Sequence, residues 1–109
     1  MRIHDYQTAG GKNVIKEYLH NLPEDERALG YSIRHRIVLN GLSAFAELNT
    51  RQLRGKLWEI KFNKNRIMYI IIDGDNVHFL HACKKQKGSA ERFELKTAIE
   101  RAKEKGFNL

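Results

Sequence analysis

The chain has 109 residues, of which 41% are hydrophobic and 30% charged, and its formal net charge at pH 7 is +7. This length and balance are typical of one folded domain, predicted over residues 1–109, and argue against a disordered chain. The longest apolar run, residues 67–72, is too short to cross a bilayer. A single cysteine, Cys83, excludes an intramolecular disulfide. With no apolar N-terminal segment, these features predict a cytoplasmic protein.

The positive charge is concentrated in the second half of the sequence. Residues 1–50 carry six basic and six acidic side chains, whereas residues 51–109 carry fourteen basic and seven acidic ones. Nine of those basic residues and only three acidic ones fall within residues 51–87. This distribution indicates a polyanionic partner that binds the second half of the chain.

The first half of the chain predicts a short strand and two helices. Residues 2–8 form an extended segment that a pair of glycines ends. Asn13 can cap a first helix whose apolar positions share one face. These positions are Val14, Ile15, Tyr18, Leu19 and Leu22. Pro23 ends this helix and begins a second one, which runs to about Leu48, so we expect an antiparallel pair packed against a sheet.

The second half predicts three consecutive strands at about 56–62, 66–73 and 77–84. The middle segment is apolar on both faces and is therefore expected to be central. A strong hairpin turn at 73–76 separates the last two strands. Hairpin connections make the three strands antiparallel.

A last helix is expected to begin at Ser89 as its N-cap and to end at Gly106, with mixed charges that predict a solvated face. The order β-α-α-β-β-β-α predicts an α+β fold. It consists of a small antiparallel sheet, an N-terminal αα-hairpin and a C-terminal helix, with the helices on one face. Trp58, Tyr69 and Cys83 are assigned to the core.

Three segments together resemble a known family. They are LRGKLWEIKF at 53–62, RIMYIIID at 66–73 and FLHACKKQK at 79–87. In this order and before a helix, they are similar to the RelE/HigB group of bacterial toxins, and most similar to its phage-derived, HigB-like branch. The resemblance covers residues 53–104 well and residues 13–48 in order and length only.

The resemblance implies a RelE/ParE-like fold and a toxin of a type II toxin–antitoxin module. Such toxins are neutralised by a small helix-turn-helix antitoxin, HigA-like in this branch. Many cut mRNA on the ribosome without a metal ion. A sister branch, similar to ParE, has the same fold and inhibits DNA gyrase instead.

Metal-free RNA cleavage needs a base for the 2′-hydroxyl, cations for the phosphate and an acid for the leaving oxygen. The candidate catalytic residues of these types are Lys61, Arg66, His81, Lys84 and Lys85. Arg54, Lys56 and Lys87 are further candidates for contacts with the RNA backbone.

Structural interpretations of the same basic residues stay open. The lysines at 84–87 can protect an edge strand against aggregation. Arg54 and Lys56 can lie in a solvated loop.

The remaining candidates also have structural alternatives. His81 lies in phase with Val77 and Phe79, which also fits a core histidine. Arg66 can pair with Glu59 across the hairpin.

No metal or cofactor is predicted. His78 and His81 are three residues apart and are expected on opposite faces of their strand. His81 and Cys83 share a face, but two ligands do not make a zinc site. The sequence also lacks a P-loop, a dinucleotide-binding glycine motif and an H-E-x-x-H motif.

Three hypotheses about function follow. The first is a ribosome-dependent mRNA endoribonuclease toxin. The second is a non-enzymatic inhibitor of gyrase with the same fold, and the third is a basic phage protein that binds nucleic acid without catalysis.

Overall fold

The computed structural model describes residues 1–109 as five strands and four helices. They are β1 (Arg2–Asp5), α1 (Val14–His20), α2 (Glu24–Asn40), α3 (Leu42–Glu47), β2 (Thr50–Arg54), β3 (Leu57–Phe62), β4 (Asn65–Asp73), β5 (Asn76–Lys84) and α4 (Ser89–Glu104). The predicted α+β class and the C-terminal helix are confirmed. None of the four helices is both long enough and apolar enough to cross a membrane.

All five strands form one sheet in the order β1-β5-β4-β3-β2. The three predicted strands pair as antiparallel neighbours, which confirms the two hairpins. β1 is parallel to β5 and pairs with residues 76–79 only. Residues 80–84 of β5 therefore have no strand neighbour on that side.

Two boundaries differ from the prediction. The second helix stops at Asn40 rather than near Leu48, because Gly41 adopts a φ of 63° and α3 starts after it. This left-handed backbone is readily available only to glycine. β2 was not predicted because it is an edge strand whose residues lack an alternation of apolar and polar side chains.

Helices cover both faces of the sheet, so the prediction of helices on one face is wrong. On the face called here the helix-pair face, α1 to α3 bury a core that includes Ile15, Ile37, Ile60, Ile67 and Phe79. On the opposite face, called here the α4 face, α4 buries a second core that includes Leu57, Met68, Ile70, Leu80 and Ala98. A central strand that is apolar on both sides needs cover on both sides.

An irregularity in β5 changes which side chains share a face. Met68 pairs with His81 whereas Tyr69 pairs with Phe79, so Leu80 is an extra residue on β5. His81 therefore lies on the α4 face, so its predicted shared face with Val77 and Phe79 is wrong, whereas the shared face with Cys83 is confirmed. His78 alternates with Phe79 and also lies on the α4 face, where its ring contacts Phe107, so the expectation that His78 and His81 lie on opposite faces is wrong as well.

Of the two predicted N-caps, Asn13 is confirmed and Ser89 is not. The side chain of Asn13 accepts hydrogen bonds from the N–H groups of Ile15 and Lys16, as expected of an N-cap. Ser89 is instead the first residue of α4, and Gly88 precedes it without a side-chain cap. The first N–H groups of α4 therefore have no partner from a capping side chain.

Candidate nucleic-acid interface

Strand pairing places the candidate residues of the α4 face in two adjacent rows. One row is formed by Arg51, Glu59, Met68 and His81, and the next by Lys61, Arg66 and Cys83. The structure thus brings three of the five predicted catalytic side chains, Lys61, Arg66 and His81, into neighbouring positions on three strands.

Glu59 is the buried centre of this arrangement. Its side chain is fully buried, and its carboxylate oxygens have no hydrogen-bond partner with good geometry. Three cations approach it instead, with Arg51 Nη2 at 3.3 Å, Arg66 Nη1 at 3.5 Å and Lys61 Nζ at 3.9 Å. The predicted alternative that Arg66 pairs with Glu59 is confirmed. A buried carboxylate is tolerated here because these charges compensate it.

Arg66 is held between two carboxylates. Its Nη1 also donates a hydrogen bond of 2.9 Å to Oε1 of Glu91 in the first turn of α4. Only 4% of Arg66 is exposed, and its Nε has no partner. The hydrogen bond from Arg66 is the largest of the effects that lower the pKa of Glu91. The charge of Arg66 and the contact with Arg51 lower this pKa further.

His81 is clamped by two side chains of α4. Arg101 Nη1 lies 3.0 Å from Nδ1 of His81 and also donates to the carbonyl of Leu80. Because a guanidinium can only donate, Nδ1 accepts and the imidazole proton is on Nε2, which faces the carboxylate of Glu94. Burial lowers the pKa of His81 below its usual 6.5, against the opposing effect of Glu94. The imidazole is therefore neutral near pH 7.

Three potential metal ligands converge at this point. The ligand atoms of His81, Cys83 and Glu94 all lie within 4.8 Å of one another. In the metal-free protein the ligand atoms of His81 and Cys83 each carry a proton, which a metal ion would have to displace. Burial, with Glu94 as a further cause, raises the pKa of Cys83 to about 12. Moreover, a metal on Nε2 of His81 would force a proton onto Nδ1, where it would oppose the N–H of Arg101.

The lysines at the end of β5 lie apart from the two rows. Lys84 donates to Oδ1 of Asn65 and lies 3.6 Å from Glu26 of α2, on the side of the helix pair. The N–H of Lys85 bonds to the carbonyl of Lys64 in the β3–β4 turn. These lysines form an exposed basic rim beside Lys61 and Arg66 rather than part of the same cluster.

A cleft of about 390 Å³ connects the end of β5 with His81. Its lining includes Lys12, Tyr18, His81, Lys84 and Arg101. It runs along the part of β5 that has no strand neighbour. His81 is thus reached from the side of the lysine rim, although only 14% of its side chain is exposed.

The predicted backbone-binding residues are all exposed but are not together. Arg54 and Lys56 lie at the tip of the β2–β3 hairpin, at the opposite end of β3 from Lys61. Lys87 lies in the connection between β5 and α4, near the lysine rim. A nucleic acid that contacts all three has to cross the length of the sheet.

Trp58 is not a core residue, contrary to the prediction. It is 37% exposed and lines an apolar pocket of about 280 Å³ with Phe45, Lys56 and Tyr69. The pocket lies on the helix-pair face, and Phe45 of the short α3 forms part of its wall. Tyr69 and Cys83 are buried, as predicted.

The segment that carries both rows and the helix over them matches a known family. Residues 17–103 match the family of phage-derived Gp49-like proteins. The chain belongs to this family. It is a family of the RelE-like toxin group, which confirms the resemblance at that level, whereas the HigB branch stays a prediction. A comparison with curated proteins finds no match.

Sequence reasoning missed several charged residues of this Gp49-like site. The missed residues are Arg51, Glu59 as a buried centre, Glu91, Glu94 and Arg101. The mixed charges of the last helix predicted a solvated face, whereas Glu91, Glu94 and Arg101 point at the sheet. The spacing of Glu91 and Glu94, three residues apart, was the available indication that both lie on one side of the helix.

Proposed function

We propose that this Gp49-like protein is the toxin of a type II toxin–antitoxin module, and that it cleaves mRNA on the ribosome without a metal ion. The observation that carries the proposal is that Lys61 and Arg66 pair directly on the α4 face and that His81 lies in the next row, on the strand beside Arg66. Cations beside a titratable imidazole are the groups that cleavage of a phosphodiester next to a 2′-hydroxyl requires.

The residues take distinct parts in this proposal. Lys61 and Arg66 stabilise the charge that develops on the phosphate. The neutral His81 takes the proton of the 2′-hydroxyl as its oxygen bonds to phosphorus, and returns it to the 5′-oxygen as the bond from phosphorus to that oxygen breaks. Lys84, Lys85 and Lys87 hold the RNA backbone at the rim, and Arg54 and Lys56 contact it at the other end of the sheet. The ribosome positions the mRNA, which lets a small set of side chains suffice.

The proposed partner is a helix-turn-helix antitoxin similar to HigA. The junction of α2 and α3 exposes Val38, Leu39 and Leu42, and Leu39 is 67% exposed. Contiguous exposed apolar side chains of this kind are typical of surfaces that bind another protein. They lie away from the α4 face.

Purified protein incubated with translating ribosomes, with the 5′ ends of the mRNA mapped, tests the activity. New ends inside the reading frame are expected. Lys61→Gln should reduce their formation by about 10²-fold if its charge acts on the transition state. Lys103→Gln on the exposed side of α4 removes the same charge and serves as the control. Intact mRNA at high protein concentration contradicts the proposal.

One observation favours a second candidate, in which the protein binds its target without cleaving it. Arg66 and His81 are both engaged by side chains of α4. Inhibition of gyrase, as in the ParE-like branch, needs no free acid or base. Induced expression with translation and DNA supercoiling measured separately distinguishes the two, because only the second candidate relaxes or breaks DNA while translation continues.

A further inference from the structure

A second cleft, between β2 and the start of α4, is lined by three arginines. They are Arg51, Arg66 and Arg92, and the cleft has a volume of about 390 Å³. Glu91 is the one acidic residue in its lining. Guanidinium groups offer planar pairs of donors that match the oxygens of a phosphate.

The carboxylate of Glu91 is itself an anionic group that lies in this cleft. Its Oε1 lies 2.9 Å from Nη1 of Arg66 and 3.4 Å from Nη2 of Arg51. The carboxylate therefore shows where an oxyanion can sit between the two guanidinium groups. The side chain of Glu91 is 39% exposed, so water or another anion can reach the position it occupies.

The buried side of the cleft has unused hydrogen-bonding capacity. Nε of Arg66 is buried and has no hydrogen-bond partner, and only 5% of the Arg66 side chain is exposed. Arg92 is exposed and makes no ion pair. The uncapped start of α4 at Gly88 adds the positive end of a helix dipole to the same lining.

The lining of the cleft carries a surplus of positive charge. It contains three guanidinium groups, those of Arg51, Arg66 and Arg92, and one carboxylate, that of Glu91. If Glu91 swings out, the surplus of positive charge rises from two to three. Such a surplus in a concave surface attracts a polyanion.

We propose that this cleft binds a phosphodiester group of RNA, and that Glu91 occupies the place of that phosphate until RNA displaces it. The inference rests on the proposed RNA-directed function and adds Arg51 and Arg92 to the residues that contact RNA. Glu91 is then an internal competitor, and its loss strengthens binding. If Glu91 only holds α4 against the sheet, its loss does not strengthen RNA binding.

Binding of a short fluorescent single-stranded RNA, measured by anisotropy without ribosomes, tests this inference. Glu91→Gln should bind on the order of fivefold more tightly, the equivalent of one exposed ion pair. Glu100→Gln removes the same charge from the exposed side of α4 and should leave affinity close to that of the natural chain. Equal affinities of the two variants overturn the inference.

Arg92→Gln tests the cleft without breaking an ion pair of the free protein. It should weaken binding and lower the slope of log affinity against log salt by about 0.7, the value for one phosphate contact with a single strand. Lys103→Gln is the matched control for the lost charge. An unchanged salt slope in Arg92→Gln contradicts phosphate binding in the cleft. This result holds even if Glu91→Gln disturbs the packing of α4, because Arg92→Gln breaks no ion pair.

The two proposals fail in different ways. If mRNA stays intact on ribosomes but Glu91→Gln still binds RNA more tightly, the cleft is supported and cleavage is not. If mRNA is cut but Glu91→Gln and Arg92→Gln bind as their controls do, the cleft is overturned and the activity stands. Absence of RNA binding in every variant overturns the cleft, whereas the cleavage proposal is decided by the ribosome assay alone.

Discussion

Glu94 of α4 accepts a hydrogen bond from Nε2 of His81 on β5. The residue that the sequence offers as an acid–base group is therefore held by the helix that follows it. Arg101 occupies the other ring nitrogen, so both are engaged by side chains of one helix. Glu91 makes an equivalent contact with Arg66 one turn earlier in α4. The helix thus holds the carboxylates of Glu91 and Glu94 against the side chains of two candidate catalytic residues.

Removal of the Glu94 carboxylate should lower the pKa of His81 further. The carboxylate raises that pKa by hydrogen bonding and by charge, while burial and Arg101 lower it. In Glu94→Gln only the lowering effects remain. An NMR titration of the His81 Cε1 proton measures the change, with Glu100→Gln as the control. An unchanged or raised pKa contradicts the assigned hydrogen bond.

Stability should fall as the solution becomes acidic, in part because of His81. Its pKa in the folded chain is lowered by burial, so the unfolded chain binds the proton first as pH drops through about 6.5. The contribution is fully present above that pH and is lost below it. Urea unfolding at pH 7.5 and pH 5.5 should show a smaller loss for His81→Gln than for the natural chain.

His35 provides the control for this pH dependence. It lies on the exposed side of α2, so His35→Gln should lose as much stability on acidification as the natural chain. Equal losses in all three proteins rule out His81 as a source of the pH dependence.

Glu59 should be the most sensitive charged position of the α4 face. Its fully buried carboxylate compensates Arg66, which is itself 4% exposed. Glu59→Gln leaves that guanidinium without the buried one of its two carboxylate partners, so the free energy of unfolding should fall by about 3 kcal/mol. Arg51→Gln removes a half-exposed partner of the same carboxylate and should cost less than about 1 kcal/mol. Urea denaturation measures both, and similar losses contradict the assignment of Glu59 as the buried centre.

Trp58 should behave as a surface aromatic residue rather than as a core residue. It is 37% exposed, whereas Phe79 is fully buried. Trp58→Ala should lower the free energy of unfolding by about 1–2 kcal/mol, and Phe79→Ala by about 3–5 kcal/mol. Because Trp58 is the single tryptophan, acrylamide quenching of the native fluorescence checks its exposure directly. A native protein that resists quenching contradicts the exposed position of Trp58.

Local patterns in the sequence were sufficient for most of the secondary structure. The alternation around Ile60 and the turn at 73–76 depend on neighbours within a few residues, and the three strands they predicted are present. Asn13 capped its helix for the same reason, because a cap is a contact between residues two or three positions apart. β2 lacked such a pattern, since an edge strand is stabilised by its partner strand rather than by its own apolar face.

The sequence by itself determined the α+β class, the antiparallel hairpins and the location of the excess positive charge, because these follow from composition and short-range periodicity. Only the tertiary structure decided which charges meet. The extra residue Leu80 moved His81 to the α4 face, and α4 then placed Glu91 and Glu94 against Arg66 and His81. These contacts join residues 13 and 25 positions apart, and their geometry depends on how a helix packs on a sheet, which no local pattern encodes.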